Sequence, residues 1–354
     1  DYMSDVIVAT DIGKLPDTNI AEALQRVTGV QITRDRGEGA GVAIRGLPQV
    51  LTTFNNRDIY SAGNGRGLNF NEVASEIVKT LEVQKSRVSS TIAGGLGGTV
   101  NIDSLRPKDL GDFQFNASAK ADYPEFNGKV YPRLSGLIGG NVYTDAGRFG
   151  AYIAVSYQDR QYRWDRWRGS RYNLSGTNIT DLNKNGIFPG EAADFVIVPE
   201  GTARGIVPAQ GHRDRLGING IADWSPNENL TVYVDAMWRR YRGYEVRNGN
   251  FFSSLNTPPQ QRWTNVTVGQ DNALLTGTLT NVTVDPNTQL ENRFADDYMF
   301  GTGMNWDNHN GIKVNADLSY QYGKAKGTYY QTVYRFAPVD GRLDLSVDAS
   351  KPGT

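Results

Sequence analysis

The sequence contains no cysteine, which excludes thiol catalysis, cysteine-ligated zinc or iron–sulfur clusters and a disulfide scaffold. Its two histidines, His212 and His309, are far apart and leave little basis for a histidine metal site or a catalytic triad. A formal charge of −1 gives no general electrostatic reason to bind nucleic acid. No convincing set of convergent acid and base groups is present, so we predict that the protein is not an enzyme.

Long hydrophobic runs are also missing. The runs that are present, such as Phe195 to Val198, fall far short of the ~18 apolar residues of a membrane helix. Hydrophobic residues make up only 38% of the chain, but abundant aromatic and β-branched residues argue against disorder. Transmembrane β-strands need only ~9–11 residues with one apolar face, so low mean hydropathy is compatible with a membrane protein.

Residues 1–110 have the pattern of a small mixed α/β domain. Asn19 to Thr28 is predicted to be a helix, with Asn19 and Glu22 spaced as a capping box and Gly29 as its stop. A second short helix is predicted at about Val73 to Val78. Between and after the helices, glycine-punctuated strands are predicted around 30–33, 42–45, 51–54, 59 and 81–84.

From about Gly111 the sequence alternates between apolar and polar residues, which predicts strands with one apolar face and one polar, solvated face. Seven such strands are predicted, at Phe113 to Asp122, Leu134 to Tyr143, Phe149 to Gln158, Leu216 to Trp224, Leu230 to Arg239, Tyr298 to Asp307 and Ile312 to Gly323. Tight turns at 145–148, 225–229 and 308–311 alternate with connections of about 8, 50 and 50 residues. Short turns on one side and long loops on the other favour an outer-membrane barrel over a soluble β-sandwich, the alternative.

Seven strands cannot close into a wide barrel, and an open sheet edge in lipid leaves backbone groups unpaired. Residues 111–354 are therefore expected to be the N-terminal portion of a longer barrel, unless strands are shared in an oligomeric pore. The chain starts at Asp1 without a basic and apolar leader, so we expect any signal peptide to have been removed or omitted.

The N-terminal motifs occur in a recognisable order: NIAEALQRVTGV at 19–30, IRGL at 44–47, Asn56-Arg57, SEIV at 75–78, Leu81-Glu82-Val83 and GGLGGTVNI at 94–102. In this order, ahead of barrel-like strands, they resemble the plug domain of TonB-dependent outer-membrane receptors, in the branch common in Caulobacter and Xanthomonas. The resemblance implies a membrane all-β fold with an α/β plug inside an antiparallel barrel of about 22 strands.

The same resemblance implies a location in the outer membrane of a Gram-negative bacterium, among lipid and lipopolysaccharide. It implies active import of a scarce nutrient, driven by the proton-motive force through TonB with ExbB and ExbD. No TonB box is evident; Asp5-Val6-Ile7-Val8 resembles the first strand of the plug, so the coupling segment is expected upstream. An oligosaccharide is the predicted ligand, with a ferric siderophore as the alternative. A passive porin or a phage or bacteriocin receptor are further alternatives.

Plug loops that face outside contact substrate in the related receptors, which makes Asn56, Arg57, Tyr60 and Arg66 candidate binding residues. Hydrogen bonding between plug and barrel wall, or a solvated loop, is the alternative. In the long loop after residue 160, Trp167 and Tyr172 lie among arginines and could stack on sugar rings. Tyr162 and Trp164, nearer the strand end, are instead expected in an aromatic girdle at the bilayer edge.

The segment DLNKNG at 181–186 matches the first half of a calcium-binding loop, with oxygen ligands at Asp181, Asn183 and Asn185 followed by Gly186. Position 12 of the loop is Ala192, and the nearest carboxylates are Glu191 and Asp194. A structural calcium ion held by Asp181, Asn183, Asn185 and Glu191 is one interpretation, and an ordinary Asn/Gly turn is the other. No cofactor is expected to be required.

Overall fold

The computed structural model describes residues 4–8, 20–59, 78–86, 92–167, 177–188, 191–198, 202–204, 206–253, 263–269, 271–334 and 343–346. The chain divides into two compact units. The first comprises residues 1–162, 212–244 and 292–328, and the second comprises residues 163–211, 245–291 and 329–354.

The N-terminal domain lies in the first unit and contains one short helix and seven strands among its described residues. They are β1 (Ser4–Val8), α1 (Ile20–Leu24), β2 (Val30–Asp35), β3 (Glu38–Ile44), β4 (Val50–Phe54), β5 (Arg57–Asp58), β6 (Val78–Gln84) and β7 (Gly98–Ser104). Five strands form a sheet in the order β1-β6-β7-β4-β5, and β2 pairs with β3 as a separate hairpin. Only the β4–β7 pair of that sheet is parallel.

The helix is shorter than predicted. It ends at Leu24 rather than Thr28, because the following amides bond back to carbonyls three residues earlier, as in Val27 N–H to Leu24 C=O at 3.1 Å. Gly29, at φ +76°, then turns the chain into β2. Glu22 accepts a hydrogen bond from the amide of Gly39, and Asn19 lies outside the described residues. The second predicted helix also falls outside them, except for Val78, which begins β6.

The described strands after this domain follow in chain order: β8 (Phe113–Asp122), β9 (Tyr131–Thr144), β10 (Gly147–Trp167), β11 (Thr177–Asn178), β12 (Phe195–Val196), β13 (Thr202–Arg204), β14 (Ile206–Asn227), β15 (Leu230–Ser253), β16 (Trp263–Val268), β17 (Leu274–Leu279), β18 (Thr283–Asp307), β19 (Lys313–Val333) and β20 (Leu343–Ser346). The long ones form the large sheet in the order β19-β18-β15-β14-β10-β9-β8. All seven predicted strands are confirmed.

The large sheet has two chemically different faces. Val234 on β15 is 54% exposed, whereas its neighbours Tyr233 and Asp235 are buried. On β10, Ile153 is exposed while Tyr152 and Ala154 on either side are buried. The N-terminal domain packs against the face that carries the buried residues, here called the inner face, and the apolar core of the domain continues onto it. This fold, an α/β domain against antiparallel barrel strands, is the predicted fold class.

The second unit has its own small apolar cluster. Strands β16, β17 and β20 form a sheet, and β11 pairs with β12. The cluster is formed by Ile179, Val196, Val198, Trp263, Leu274, Leu279 and Val282. Within the described part of the chain, no helix is long and apolar enough to cross a membrane.

Candidate functional site

Two clusters of charged side chains join the N-terminal domain to the inner face of the large sheet. The first is built on the β2–β3 hairpin, whose two-residue turn is Arg36-Gly37. Both turn residues have positive φ, at +54° and +81°, as the tight turns of twisted hairpins require. This turn places Asp35 and Glu38 at the hairpin tip, facing the middle of long strands.

Glu38 is the centre of the first cluster, which we call the Glu38 cluster. Its side chain is 1% exposed and makes ion pairs with three arginines of the large sheet. The shortest joins Oε2 to Arg215 Nη2 at 2.7 Å, and Arg160 Nη1 lies 2.8 Å from Oε1. Arg213 Nη1 is more distant, at 3.4 Å from Oε2. One buried carboxylate therefore holds three cations from two different strands.

Neighbouring groups complete the cluster. Asp35 pairs with Arg213 at 2.7 Å and with Arg36 at 2.5 Å. The guanidinium of Arg213 also lies 4.9 Å from the ring centre of Tyr162, and that of Arg36 lies 5.7 Å from the same ring. Four arginines thus face two carboxylates, so the cluster carries an excess of positive charge.

The electrostatics of the hairpin tip depend on these arginines. Burial by itself would raise the pKa of Glu38, but attraction to Arg215 and its hydrogen bond, followed by attraction to Arg160 and Arg213, lowers it to about 2. For Asp35, burial is again the largest influence, but Arg213 and Arg36 together lower the pKa. Both carboxylates are therefore charged at neutral pH, and their pairing contributes to the docking of the domain.

The second cluster, the Arg57 cluster, has the opposite arrangement of charge. Asn55 and Asn56 both have positive φ and form the turn between β4 and β5. The side chain of Asn55 hydrogen-bonds the amide of Ser104, and the amide of Asn56 bonds Asn101 Oδ1 at 3.0 Å. This turn presents Arg57 to the large sheet.

Arg57 is clamped between two aspartates of the inner face. Its Nη1 donates to both oxygens of Asp235, at 3.0 and 2.7 Å, and its Nε and Nη2 donate to Asp317 at 2.7 and 2.5 Å. Tyr233 donates a further hydrogen bond to Asp317 at 2.7 Å. Burial alone would lower the pKa of Arg57, but these two carboxylates raise it, so the guanidinium stays charged.

A glycine on the large sheet makes room for this clamp. A Cβ on Gly301 would stand 2.0 Å from Arg57 Nη1. The guanidinium is the far end of a flexible side chain, so it could shift away, but only by lengthening its contacts with the two carboxylates. The close approach of β18 to Arg57 therefore depends on the missing side chain.

The two clusters lie at different levels of the large sheet. Asp235 and Asp317 stand five and four residues from the starts of β15 and β19, next to the tight turns. Arg160 stands thirteen residues from the start of β10. At about 3.3 Å per residue, this difference of eight to nine residues corresponds to roughly 26–30 Å along the strands. The N-terminal domain is therefore pinned at two separate heights.

The predicted binding residues fare differently in the structure. Arg57 is occupied by Asp235 and Asp317, which favours the plug-to-wall interpretation over substrate contact at that residue. Asn56 is exposed at its turn, and its contact with substrate stays a prediction. Tyr60, Arg66 and Tyr172 lie outside the described residues, as does the side chain of Trp167, so those predictions also stand as made.

The expected aromatic girdle at Tyr162 and Trp164 is wrong for Tyr162. Tyr162 is 6% exposed and packs on arginines of the Glu38 cluster, so it faces inward. Along β10 the inward residues have even numbers, like Tyr152 and Arg160, and this alternation could have indicated the direction of Tyr162. Trp164 shares that parity and, within the second unit, lies 3.3 Å from Glu245 Oε2 through its indole N–H.

Sequence reasoning missed the Glu38 cluster altogether. Its carboxylate comes from a glycine-rich hairpin, and its arginines Arg213 and Arg215 precede the predicted strand at Leu216. The observed strand β14 begins at Ile206, because it extends ten residues beyond the apolar part that the alternation identified.

The predicted metal loop is described except for residues 189 and 190. Asp181 accepts hydrogen bonds from the amides of Asn185 and Gly186, at 3.2 and 2.9 Å. The side-chain amides of Asn183 and Asn185 both donate to Glu191 Oε2, at 2.9 and 2.8 Å. Within the described residues, no three His, Cys, Asp or Glu side chains lie close enough together to hold a metal ion by themselves.

A family model described as the TonB-dependent Receptor Plug Domain matches residues 2–99. These residues are a TonB-dependent receptor plug domain. The match covers β1 to β6 and the first two residues of β7, and it includes both Glu38 and Arg57. The resemblance recognised from the motif order is confirmed.

The similarity of this chain to solved structures extends beyond the plug domain. The chain is 14% identical to a mutant of the ferric enterobactin receptor of Pseudomonas aeruginosa in complex with enterobactin, with a TM-score of 0.44 over 92% of this chain and 50% of that one. It is 14% identical to copper transporter OprC, with a TM-score of 0.46 over 95% of this chain and 49% of that one. It is 12% identical to the ferric citrate transporter FecA in the unliganded form, with a TM-score of 0.39 over 95% of this chain and 59% of that one. The chain thus spans about half the length of these structures, and no curated protein matches it.

Proposed function

We propose that this chain is the plug and the first barrel strands of a TonB-dependent outer-membrane transporter. In this proposal the receptor binds a scarce nutrient at its extracellular loops and plug apex and imports it to the periplasm. Energy comes from the proton-motive force through TonB with ExbB and ExbD. The ligand crosses unchanged, because the protein acts as a transporter and not as an enzyme.

The observation that carries this proposal is the charged character of the plug contacts. A plug must block the barrel at rest and yet be able to move. Buried ion pairs hold it strongly while they are dry, because removing one partner leaves an uncompensated charge. The same pairs contribute little once water reaches them. A plug held by the Glu38 and Arg57 clusters is therefore tight when closed and can be released when force admits water.

An oligosaccharide is the ligand that we propose first. Trp167 at the end of β10 and Tyr172 in the segment that follows suit the faces of sugar rings, and Arg168 and Arg171 can donate to hydroxyl groups. One structural observation favours the second candidate, a ferric siderophore. The Glu38 cluster has four arginines for two carboxylates, and this positive charge suits an anionic ligand.

Uptake measurements test the function and distinguish the ligands. Cells with and without the complete receptor would be supplied with a labelled oligosaccharide or a ferric siderophore, each in strains with and without TonB. Receptor-dependent, saturable uptake that disappears without TonB is the expected result. Uptake that persists without TonB would reject active transport and favour a passive porin. If neither ligand enters but phage or bacteriocin sensitivity requires the receptor, the import proposal fails.

A further inference from the structure

The loop between β11 and β12 brings oxygen-bearing side chains together in the second unit. The two strands share only two residue pairs, Thr177 with Val196 and Asn178 with Phe195, so the loop between them has little backbone support. Asp181, Asn183 and Asn185 all turn their side-chain oxygens toward the loop's own amides. The loop is therefore folded around its polar side chains.

Glu191 meets the two asparagines from the other end of the loop. Its Oε2 lies within 2.9 Å of the amide groups of both Asn183 and Asn185. Carboxylate and amide side chains supply the hard oxygen ligands that calcium takes, six to eight at a time and in flexible geometry. If the side-chain amide of Asn183 or Asn185 rotates by 180° about its Cβ–Cγ bond, its oxygen takes the position that its nitrogen now occupies.

Asp194 provides an independent observation. Its side chain is completely buried, at 0% exposure. Oδ1 accepts a hydrogen bond from the amide of Leu182 at 2.9 Å, which fixes the carboxylate against the start of the loop. Oδ2 is buried there without any hydrogen-bond donor, and no Lys, Arg or His pairs with this carboxylate among the described residues. A buried, unpaired carboxylate oxygen is costly unless a cation compensates it.

We propose that this loop binds one calcium ion through side-chain oxygens of Asp181, Asn183, Asn185, Glu191 and the free Oδ2 of Asp194. The first three follow the spacing of a calcium loop, and Asp194 replaces the missing carboxylate of position 12, which is Ala192. The three carboxylates do not lie close enough together to hold a metal ion by themselves. In this proposal the ion draws them together with the side-chain amides of Asn183 and Asn185. Calcium fits this set better than magnesium, which demands stricter octahedral geometry and keeps more of its water.

The ion would fasten the loop to the apolar cluster of the second unit. Leu182, whose amide bonds Asp194, packs its side chain against that cluster. The two residue pairs between β11 and β12 are too few to order the loop. An ion bound by residues from both ends of the loop would close it. The binding of calcium and the resistance of the loop to proteases are therefore expected to change together.

Calcium titration of the complete receptor, purified in detergent and stripped with a chelator, tests the proposal. We expect one calcium site per chain in the wild type, with at least about tenfold weaker binding in Asp194→Asn and in Asp181→Asn, since even outer-shell changes cost 10–100-fold. Asp271→Asn is the matched control, because Asp271 is an exposed acid of the same unit. Magnesium titrated in parallel is expected to bind more weakly.

Limited proteolysis of the same four proteins gives a second readout. Calcium should slow cleavage between residues 181 and 194 in the wild type and in Asp271→Asn, but not in the other two. If Asp194→Asn fails to fold, Asp181→Asn decides, because Asp181 is only partly buried, whereas Asp194 is completely buried. The proposal is overturned if the wild type takes up no calcium at millimolar concentration. It is equally overturned if Asp181→Asn binds calcium and resists protease as the wild type does.

Discussion

The Glu38 and Arg57 clusters join the same two parts of the molecule with opposite charges. At the hairpin tip the plug contributes the carboxylate and the large sheet contributes Arg160, Arg213 and Arg215. Nearer the tight turns the plug contributes the guanidinium of Arg57, and the sheet contributes two aspartates. The inner face therefore presents arginines at one level and aspartates at the other, and the plug supplies the opposite charge at both.

The clusters also differ in whether a second charged group of the plug remains when one is removed. Glu38 shares Arg213 with Asp35, so the hairpin tip retains one paired carboxylate if Glu38 is neutralised. Among the ion pairs of the described residues, Arg57 is the single cation between its two aspartates, and the side chain of Asp235 is only 1% exposed. The Arg57 cluster should therefore be the more sensitive to one substitution.

Substitution of Arg57 by Met should have the largest effect. It leaves Asp235 buried without its cation, which typically costs about 3–5 kcal/mol. The free energy of plug release, measured as urea-dependent proteolysis of the plug, reports this loss. Arg34→Met is the matched control, because Arg34 makes an exposed pair with Glu22, worth about 1 kcal/mol at most. Equal effects of the two substitutions would contradict the assignment of Arg57 as a clamp.

Acid should weaken the Glu38 cluster next most strongly. The pKa of Glu38 is about 2 when docked, against an ordinary 4.5, so its contribution is complete above pH 4.5 and disappears as the pH falls toward 2. At about 1.4 kcal/mol per pH unit, this difference corresponds to at most about 3 kcal/mol. Plug stability measured across this range should fall less steeply in Glu38→Gln than in the wild type. Parallel curves would show that Glu38 does not carry the acid sensitivity.

At neutral pH, Glu38→Gln should cost about 2 kcal/mol, less than Arg57→Met. Glutamine keeps the shape and one acceptor oxygen, but it removes the charge that compensates three arginines, of which Arg213 and Arg215 are buried. Urea-dependent plug release is again the measurement, with the exposed Glu125→Gln as control. A cost greater than that of Arg57→Met would reverse the comparison between the clusters.

Gly301→Ala should produce the smallest of these effects, about 1 kcal/mol from overpacking. Its added methyl group would contact the guanidinium of Arg57, so the cost should disappear in the Arg57→Met background. Gly220→Ala provides the control, because a Cβ there stands 3.6 Å from its nearest atom. A cost that persists without Arg57 would show that Gly301 is required for another reason.

The strand pattern was predictable because alternation is a local property. Each strand of the large sheet exposes apolar residues on one face, as Val234 and Ile153 do, and a period of two identifies such strands directly. The tight turns were predictable for the same reason. The ends of β10 and β14 were not, since both strands continue beyond the apolar stretch into charged residues.

The partners of the charged residues could not be predicted in this way. Arg57 lies 178 and 260 residues from the aspartates that hold it. Its neighbours in sequence are polar loop residues, so substrate contact and wall contact fit equally well. The same separation hides Glu38, because its nearest partner in the large sheet, Arg160, is more than a hundred residues away in the sequence.

The sequence by itself determined the plug, the seven strands and the two-faced character of the sheet, because motif order and side-chain periodicity are written locally along the chain. Only the tertiary structure decided that Arg57 is clamped between two aspartates and that Glu38 pairs with three arginines. A charge lowers the free energy only where its partner stands within a few ångströms. That distance is set by how distant strands are brought together, which no local pattern records.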